Sequence, residues 1–161
     1  MTADSDLLTG EASRSLDDRY RISLPPDMVA ALGGDACECL LAKERPGCVS
    51  LWRREHWQTK IDQGVDLVRS KIRAGRLDGR LDEVQTLGRL LSTRHRYVQL
   101  AARGRLVVPE GFREFLGVEP GGGVMVVGAA VCVELWRPNA WHTYIGEQMP
   151  AFRELFDRLA D

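Results

Sequence analysis

The sequence predicts an α+β fold, made mainly of β modules with helices and present as two tandem copies that form an intramolecular pseudo-dimer. The main observation is an internal repeat. Shifting the 161-residue chain by 84 positions aligns 15–33 with 99–117 and 48–61 with 132–145 without a gap. From position 16 to 61 the copies share 14 identities in 46 positions, where ordinary composition gives about three. One copy alone is too small for a stable core, so we expect the two to pack together.

Each copy begins with apolar and polar side chains that alternate, a pattern that predicts a strand. A proline then follows at 25 or 109 and ends the strand, because proline has no N–H to donate to a neighbouring strand. Glycine at 33 or 117 closes the short helix predicted next. The predicted elements are strands over 16–24 and 100–108 and helices over 26–32 and 110–116.

Two further strands and a tryptophan-bearing helix complete each copy. Apolar runs separated by turn residues predict the strands, whereas helical spacing of apolar residues marks the stretch between the copies and the C-terminus. The acidic start is expected to be a flexible tail. The predicted organisation is a tail over 1–13, a first module over 14–61, a helical connector over 62–97, a second module over 98–146 and an amphipathic helix over 147–161.

Composition and charge exclude several classes of protein. Hydrophobic residues make up 44% and charged residues 28%, which is typical of a globular chain. No apolar run approaches the roughly 18 residues of a membrane span, and the acidic start does not have a signal-peptide pattern. We therefore expect a cytoplasmic protein with no membrane partner and four reduced cysteines. The net charge is −1, but residues 14–146 carry +4, which is compatible with a polyanionic partner.

Two arginines lie two residues apart on the first predicted strand of each copy, and we interpret them as a DNA-contacting face. Residues two apart on a strand share a face, about 6–7 Å apart. Guanidinium groups match phosphates and guanine edges, and a two-stranded ribbon fits the major groove. The alternative is a solvated face neutralised by Asp17 and Asp18. The candidate contacts are Arg19, Arg21, Arg103 and Arg105, with Arg14, Arg94 and Arg96 adding phosphate affinity.

Three segments resemble the MraZ family: Leu-Thr-Gly-Glu at 8–11, Ser-Leu-Asp-Asp-Arg-Tyr-Arg-Ile-Ser-Leu-Pro at 15–25 and Arg-Gly-Arg-Leu-Val-Val-Pro at 103–109. The resemblance covers nearly the whole chain and implies two tandem AbrB-like swapped-hairpin modules. The signature of that family is Asp-x-x-x-Arg, usually with glycine before the arginine. Asp17 and Arg21 match it in the first copy, and Gly104 and Arg105 match its end in the second. Tyr20 stands in place of the first glycine and Ala101 in place of the second aspartate.

The resemblance implies a sequence-specific transcriptional regulator that represses its own division and cell-wall gene cluster. It implies binding to double-stranded DNA at promoter direct repeats, association with the nucleoid and assembly into a ring-shaped homo-oligomer. The departures at Tyr20 and Ala101 are expected to alter operator choice or DNA affinity. The alternative function is an oligomeric protein-interaction scaffold of the same fold with weakened or lost DNA binding.

No motif points to an enzyme, a cofactor, a metal or a small-molecule substrate. The cysteines at 37, 39 and 48 have only His56 nearby and no fourth ligand at a familiar zinc spacing. The glycines at 121–123 lack the lysine and hydroxyl of a phosphate-binding loop, and there is no nucleophile motif or pair of catalytic acids. The four tryptophans occupy repeat-equivalent positions, which favours core or interface packing over base stacking.

Overall fold

The computed structural model describes residues 7–161, except the side chain of Lys60, and it confirms the α+β class. The strands are β1 (Glu11–Ser15), β2 (Arg21–Ser23), β3 (Glu38–Arg45), β4 (Cys48–Arg53), β5 (His95–Gln99), β6 (Arg105–Val107), β7 (Gly123–Gly128) and β8 (Val133–Trp136). The helices are α1 (Pro26–Leu32), α2 (Arg54–Arg73), α3 (Leu81–Arg94), α4 (Glu110–Leu116), α5 (Pro138–Gln148) and α6 (Phe152–Ala160). Both short helices, α1 and α4, have the predicted bounds.

The two copies exchange their first strands. The main sheet has the order β1-β7-β8-β4-β3-β5, in which β1 and β5, β3 and β7, and β4 and β8 are equivalent by the repeat. The first strand of the first copy, β1, pairs with β7 of the second copy, and β5 pairs with β3 of the first. At the centre β4 pairs with β8, and Ser50 lies opposite its own equivalent, Glu134. The sheet therefore has pseudo-two-fold symmetry about its centre.

The repeat offset changes by one residue inside each copy. Glu11 pairs with Val127, whereas its equivalent, His95, pairs with Ala42, so β3 and β7 correspond at an offset of 85. A register shift between Lys43 and Arg45 restores the offset of 84 before β4 begins. A bulge of this kind inserts one residue into one strand of a pair. The loop between α4 and β7 is one residue longer than the equivalent loop between α1 and β3. This extra residue in the second copy offsets the bulge residue in the first, so the alignment of the two copies needs no gap.

The main sheet separates two layers. On one face α1, α4 and a small second sheet of β2 and β6 enclose the main core, in which residues such as Leu41, Val49 and Leu135 are fully buried. On the other face α5 packs with Trp136 and Trp141, and α2 packs against β3 and β4. The β2–β6 sheet and the long helices therefore lie on opposite faces of the molecule.

The strands predicted over 16–24 and 100–108 are wrong in part, because only three residues of each are strand. Asp17 starts a turn instead: its Oδ1 accepts hydrogen bonds of 2.8 Å from the backbone N–H groups of Arg19 and Arg21. Such a bond offers the backbone an alternative to a strand partner. In the second copy Arg103 and Gly104 adopt left-handed φ angles of 64° and 66°. Arg19 and Arg103 therefore lie in turns rather than on a strand face.

The predicted ends of the chain need correction as well. The flexible tail predicted over 1–13 is wrong at residues 11–13, because Glu11–Ser15 form β1. The first six residues of that predicted tail lie outside the described residues. The predicted connector contains most of α2, all of α3 and the start of β5. At the C-terminus α6 carries four exposed apolar residues, Phe152, Leu155, Phe156 and Leu159. Within residues 7–161, no helix combines the length and hydropathy that crossing a membrane requires.

Candidate nucleic-acid interface

Strands β2 and β6 form a two-stranded antiparallel ribbon. Arg21 pairs with Val107, Ile22 with Leu106 and Ser23 with Arg105. Ile22 and Leu106 are 1% and 0% exposed, so they face the core and the other four side chains share the outward face. Two reciprocal hydrogen bonds extend the pairing, from Leu24 N–H to the Gly104 carbonyl at 3.0 Å and from Val108 N–H to the Tyr20 carbonyl at 2.8 Å. We call β2, β6 and their preceding turns, 17–20 and 101–104, the arginine ribbon.

The arginine ribbon brings together the four arginines that the sequence singles out. Arg21 and Arg105 occupy diagonal positions on its outward face, where neighbouring residues are about 7–8 Å apart. Arg19 and Arg103 are exposed and lie in the turns that precede β2 and β6. Because the strands are antiparallel, these two turns lie at opposite ends of the ribbon. The ribbon holds four arginines against Asp17 and Asp18, a net charge of +2.

The two central arginines differ in their surroundings. Arg21 Nε donates to Asp17 Oδ2 at 2.8 Å, and both side chains are about one-third exposed. Hydrogen bonds from the Arg21 backbone N–H, followed by those from its side chain and from Arg19 N–H, lower the pKa of Asp17 despite partial desolvation. The ion pair of the solvated-face alternative therefore exists in the first copy. In the second copy alanine occupies position 101, and no described carboxylate pairs with Arg105.

Tyr20 adopts the same left-handed conformation as its glycine equivalent. Its φ is 58°, and its ring packs against the main core beneath the guanidinium of Arg113, whose central carbon is 4.0 Å from the ring centroid. At Gly104 a Cβ atom would lie only 2.4 Å from Val29 Cγ2. The first turn thus accommodates a large side chain where the second has room for none.

The three arginines expected to add phosphate affinity lie in different places. Arg14 is beside the arginine ribbon, where its Nε donates to the Ser23 carbonyl at 3.1 Å. Arg94 donates twice to the Lys43 carbonyl, at 2.7 and 3.2 Å. Arg96 is exposed on β5, at the edge of the main sheet. Arg94 and Arg96 precede the middle of β5, whereas the ribbon turn follows its end, so the structure does not bring these two residues into the ribbon.

The sequence reasoning did not single out two further residues on the outward face. Ser23 is exposed, and Val107 is 46% exposed although it is aliphatic. Their alternation with the buried Ile22 and Leu106 is the signal that could have identified them.

The cysteines and tryptophans lie away from the ribbon's outward face. Cys37 Sγ and Cys39 Sγ are 3.5 Å apart, but residues 7–161 contain no cluster of three candidate metal ligands. Cys48 and Cys132 are buried, and burial raises the pKa of the Cys132 thiol to about 12. Trp136 and Trp141 are buried on the sheet face opposite the ribbon, which confirms their predicted packing role.

Comparison with known proteins points to one family. Residues 94–161 match the family model described as "MraZ protein, putative antitoxin-like". Proteins named transcriptional regulator MraZ from Idiomarina loihiensis, Xanthomonas campestris and Syntrophomonas wolfei are 29%, 27% and 24% identical to this chain, and each alignment covers 96% of this chain and 98% of the relative. These similarities extend over nearly the full length of the chain, beyond the matched C-terminal part, and they support the resemblance to the MraZ family that the sequence motifs indicate.

Proposed function

We propose that this protein is a sequence-specific DNA-binding transcriptional regulator and that the arginine ribbon is its DNA-contacting surface. The observation that carries the proposal is the outward placement of Arg21 and Arg105 on a two-stranded ribbon, with an arginine-bearing turn at each end. A ribbon of this width enters the major groove, where arginine binds O6 and N7 of guanine bidentately. The names of the full-length relatives support a regulator rather than an enzyme.

The ion pair between Asp17 and Arg21 is compatible with this role. It uses Arg21 Nε, and none of the described residues accepts a hydrogen bond from the two terminal nitrogens of that guanidinium. Those nitrogens remain available for a guanine or a phosphate. Holding the side chain before binding reduces the conformational entropy that is lost in the complex.

We further propose a homo-oligomer, arranged as a ring, that binds promoter direct repeats and represses the division and cell-wall cluster to which its own gene belongs. The supporting observation is a group of exposed apolar residues on α6: Phe152, Leu155, Phe156 and Leu159. Exposed leucines also lie on α2 and α3, and two unlike apolar surfaces on one chain suit head-to-tail contacts, which close into rings. Several weak DNA contacts in one ring combine through high effective concentration. This role places the protein in the cytoplasm, on the nucleoid.

The test is binding to the duplex upstream of the protein's own gene, at about 50 mM and about 200 mM salt. We compare the wild type with the Arg21→Ala/Arg105→Ala variant. The control is Arg76→Ala/Arg89→Ala, which removes the same charge from exposed positions in and around the long helices. We expect the ribbon variant to lose about 100-fold in affinity, since each bidentate guanine contact contributes about 1–3 kcal/mol. The control variant should bind within about threefold of the wild type, because it retains the ribbon.

Binding that is absent in the wild type, or that is equally weakened in the control variant, would contradict the proposal. An intact oligomer that does not bind this duplex would favour the protein-interaction scaffold. Size-exclusion chromatography of all three proteins separates loss of DNA contacts from loss of assembly.

A further inference from the structure

The outward face of the arginine ribbon carries an arginine at both of two equivalent positions, but the residues at the other two equivalent positions differ. The pseudo-two-fold axis passes between Ile22 and Leu106, so Arg21 is equivalent to Arg105 and Ser23 to Val107. A hydroxyl therefore occupies one position of this face where an isopropyl group occupies the equivalent one. Val107 is 46% exposed, although its strand neighbour Leu106 is fully buried.

Val107 lies directly across the ribbon from Arg21. Side chains in such a cross-strand pair have Cβ atoms about 4.5–5.5 Å apart, which is close to the rise of one to two base pairs. A guanidinium group and an aliphatic group are thus presented together to the same part of a groove. The equivalent pair in the other half is Arg105 with Ser23.

We infer that Val107 is a specificity-determining residue that contacts the 5-methyl group of a thymine beside the guanine bound by Arg21. This inference rests on the proposed DNA binding. Thymine alone among the four bases presents a methyl group in the major groove, and apolar side chains recognise it by contact. Ser23, at the equivalent position, donates to or accepts from several base edges and so discriminates less.

The surroundings of the arginines add to this asymmetry. Asp17 holds Arg21 through a 2.8 Å ion pair, whereas alanine at position 101 leaves Arg105 without that support. The Arg21–Val107 half is therefore the more rigid and more selective half of the ribbon. One chain then reads an asymmetric sequence, and a series of identical chains reads that sequence as a direct repeat.

The test uses a duplex selected from a random-sequence pool by the wild-type protein. Each thymine in turn is replaced by uracil, which removes only the methyl group. We expect at least one uracil position to weaken wild-type binding about fourfold, the effect of losing one buried methyl group. Val107→Ser should bind the thymine and uracil duplexes equally. Ser23→Val should acquire a new thymine preference in the other half of the sequence, found by repeating the selection with that variant.

A wild-type protein that selects a sequence but is insensitive to every uracil would overturn the inference and leave DNA binding intact. A uracil effect that persists in Val107→Ser would overturn it as well, because another group would then contact the methyl. A wild type that selects no sequence would overturn both the inference and the proposed function. Val107 is 46% exposed, and matching melting temperatures of the wild type and Val107→Ser show that the fold is retained.

Discussion

The two copies build the turn before the ribbon with different residues and different backbone conformations. In the first copy the Asp17 carboxylate accepts hydrogen bonds from the backbone of Arg19 and Arg21, and a tyrosine takes the left-handed position. In the second copy alanine replaces the aspartate, and glycine takes that position. The first turn depends on side-chain bonding and the second on backbone freedom. The same β2–β6 pairing is therefore reached through two different turns.

Exchanging the residues at the left-handed position should give the largest effect. Gly104→Tyr places a Cβ atom 2.4 Å from Val29 Cγ2 and forces a bulky residue to a φ of 66°. We expect a loss of about 3 kcal/mol or more in the free energy of unfolding, because overpacking and backbone strain act together. Urea denaturation of purified protein measures it.

The reverse exchange, Tyr20→Gly, is the matched control. It removes the ring that packs against the core and Arg113, but it also relieves the strain of a left-handed tyrosine, about 1 kcal/mol. We expect a clearly smaller loss than for Gly104→Tyr. Equal losses would show that the two turns are interchangeable and would remove the contrast between the copies.

Removing the carboxylate of the first turn should have an intermediate effect that depends on pH. Asp17→Ala removes the acceptor for two backbone N–H groups and for Arg21 Nε, so the melting temperature should fall at pH 7. The pKa of Asp17 is lowered by folding from its ordinary 3.8, so its stabilising contribution is complete above that value and disappears as the pH falls through the folded-state pKa. Melting curves from pH 7 to pH 2 should therefore converge for the wild type and the variant at the acid end.

Its counterpart is Ala101→Asp, which supplies the missing carboxylate to the second copy. Arg103 and Gly104 already form that turn without a side-chain acceptor, so we expect little change in melting temperature. A gain as large as the Asp17→Ala loss would mean that both turns use the carboxylate in the same way.

A small effect of opposite sign is expected at the centre of the main sheet, where Ser50 faces Glu134. Burial raises the pKa of Glu134, although a hydrogen bond from Trp136 Nε1 opposes the shift. The unfolded chain then releases this proton at a lower pH than the folded protein, so stability falls as the pH rises above 4.5. Glu134→Gln keeps an acceptor for Trp136 and cannot ionise, so it should melt slightly higher than the wild type at pH 7.

The difference between Glu134→Gln and the wild type should shrink below pH 4.5, where the carboxyl group is protonated in both states. A variant that melts lower than the wild type at pH 7 would indicate that the charged carboxylate stabilises the sheet. The equivalent position offers a neutral reference, because Ser50 carries no titratable group.

Sequence reasoning predicted the fold class, the short helices and the outward arginines, and it failed where side chains bond to the backbone. The strands and short helices could be predicted because buried side chains impose a periodic pattern of apolar residues, and the repeat shows that pattern twice. The turn at Asp17 depends on two specific hydrogen bonds. The alternation of apolar and polar residues that predicts a strand continues through this turn, so the pattern does not reveal it. The bulge after Lys43 is hidden because a longer loop elsewhere compensates for it. The pairing of Arg14 and Arg94 with carbonyl groups depends on contacts that are distant in the sequence.

The exchange of β1 and β5 between the copies affects how the chain is completed during synthesis. When α2 emerges from the ribosome, β1 has no partner because β7 has not been made, and β3 has an open edge until β5 arrives. An open edge is a template for pairing with another chain. The nascent protein therefore keeps unpaired strand edges until translation has passed β7.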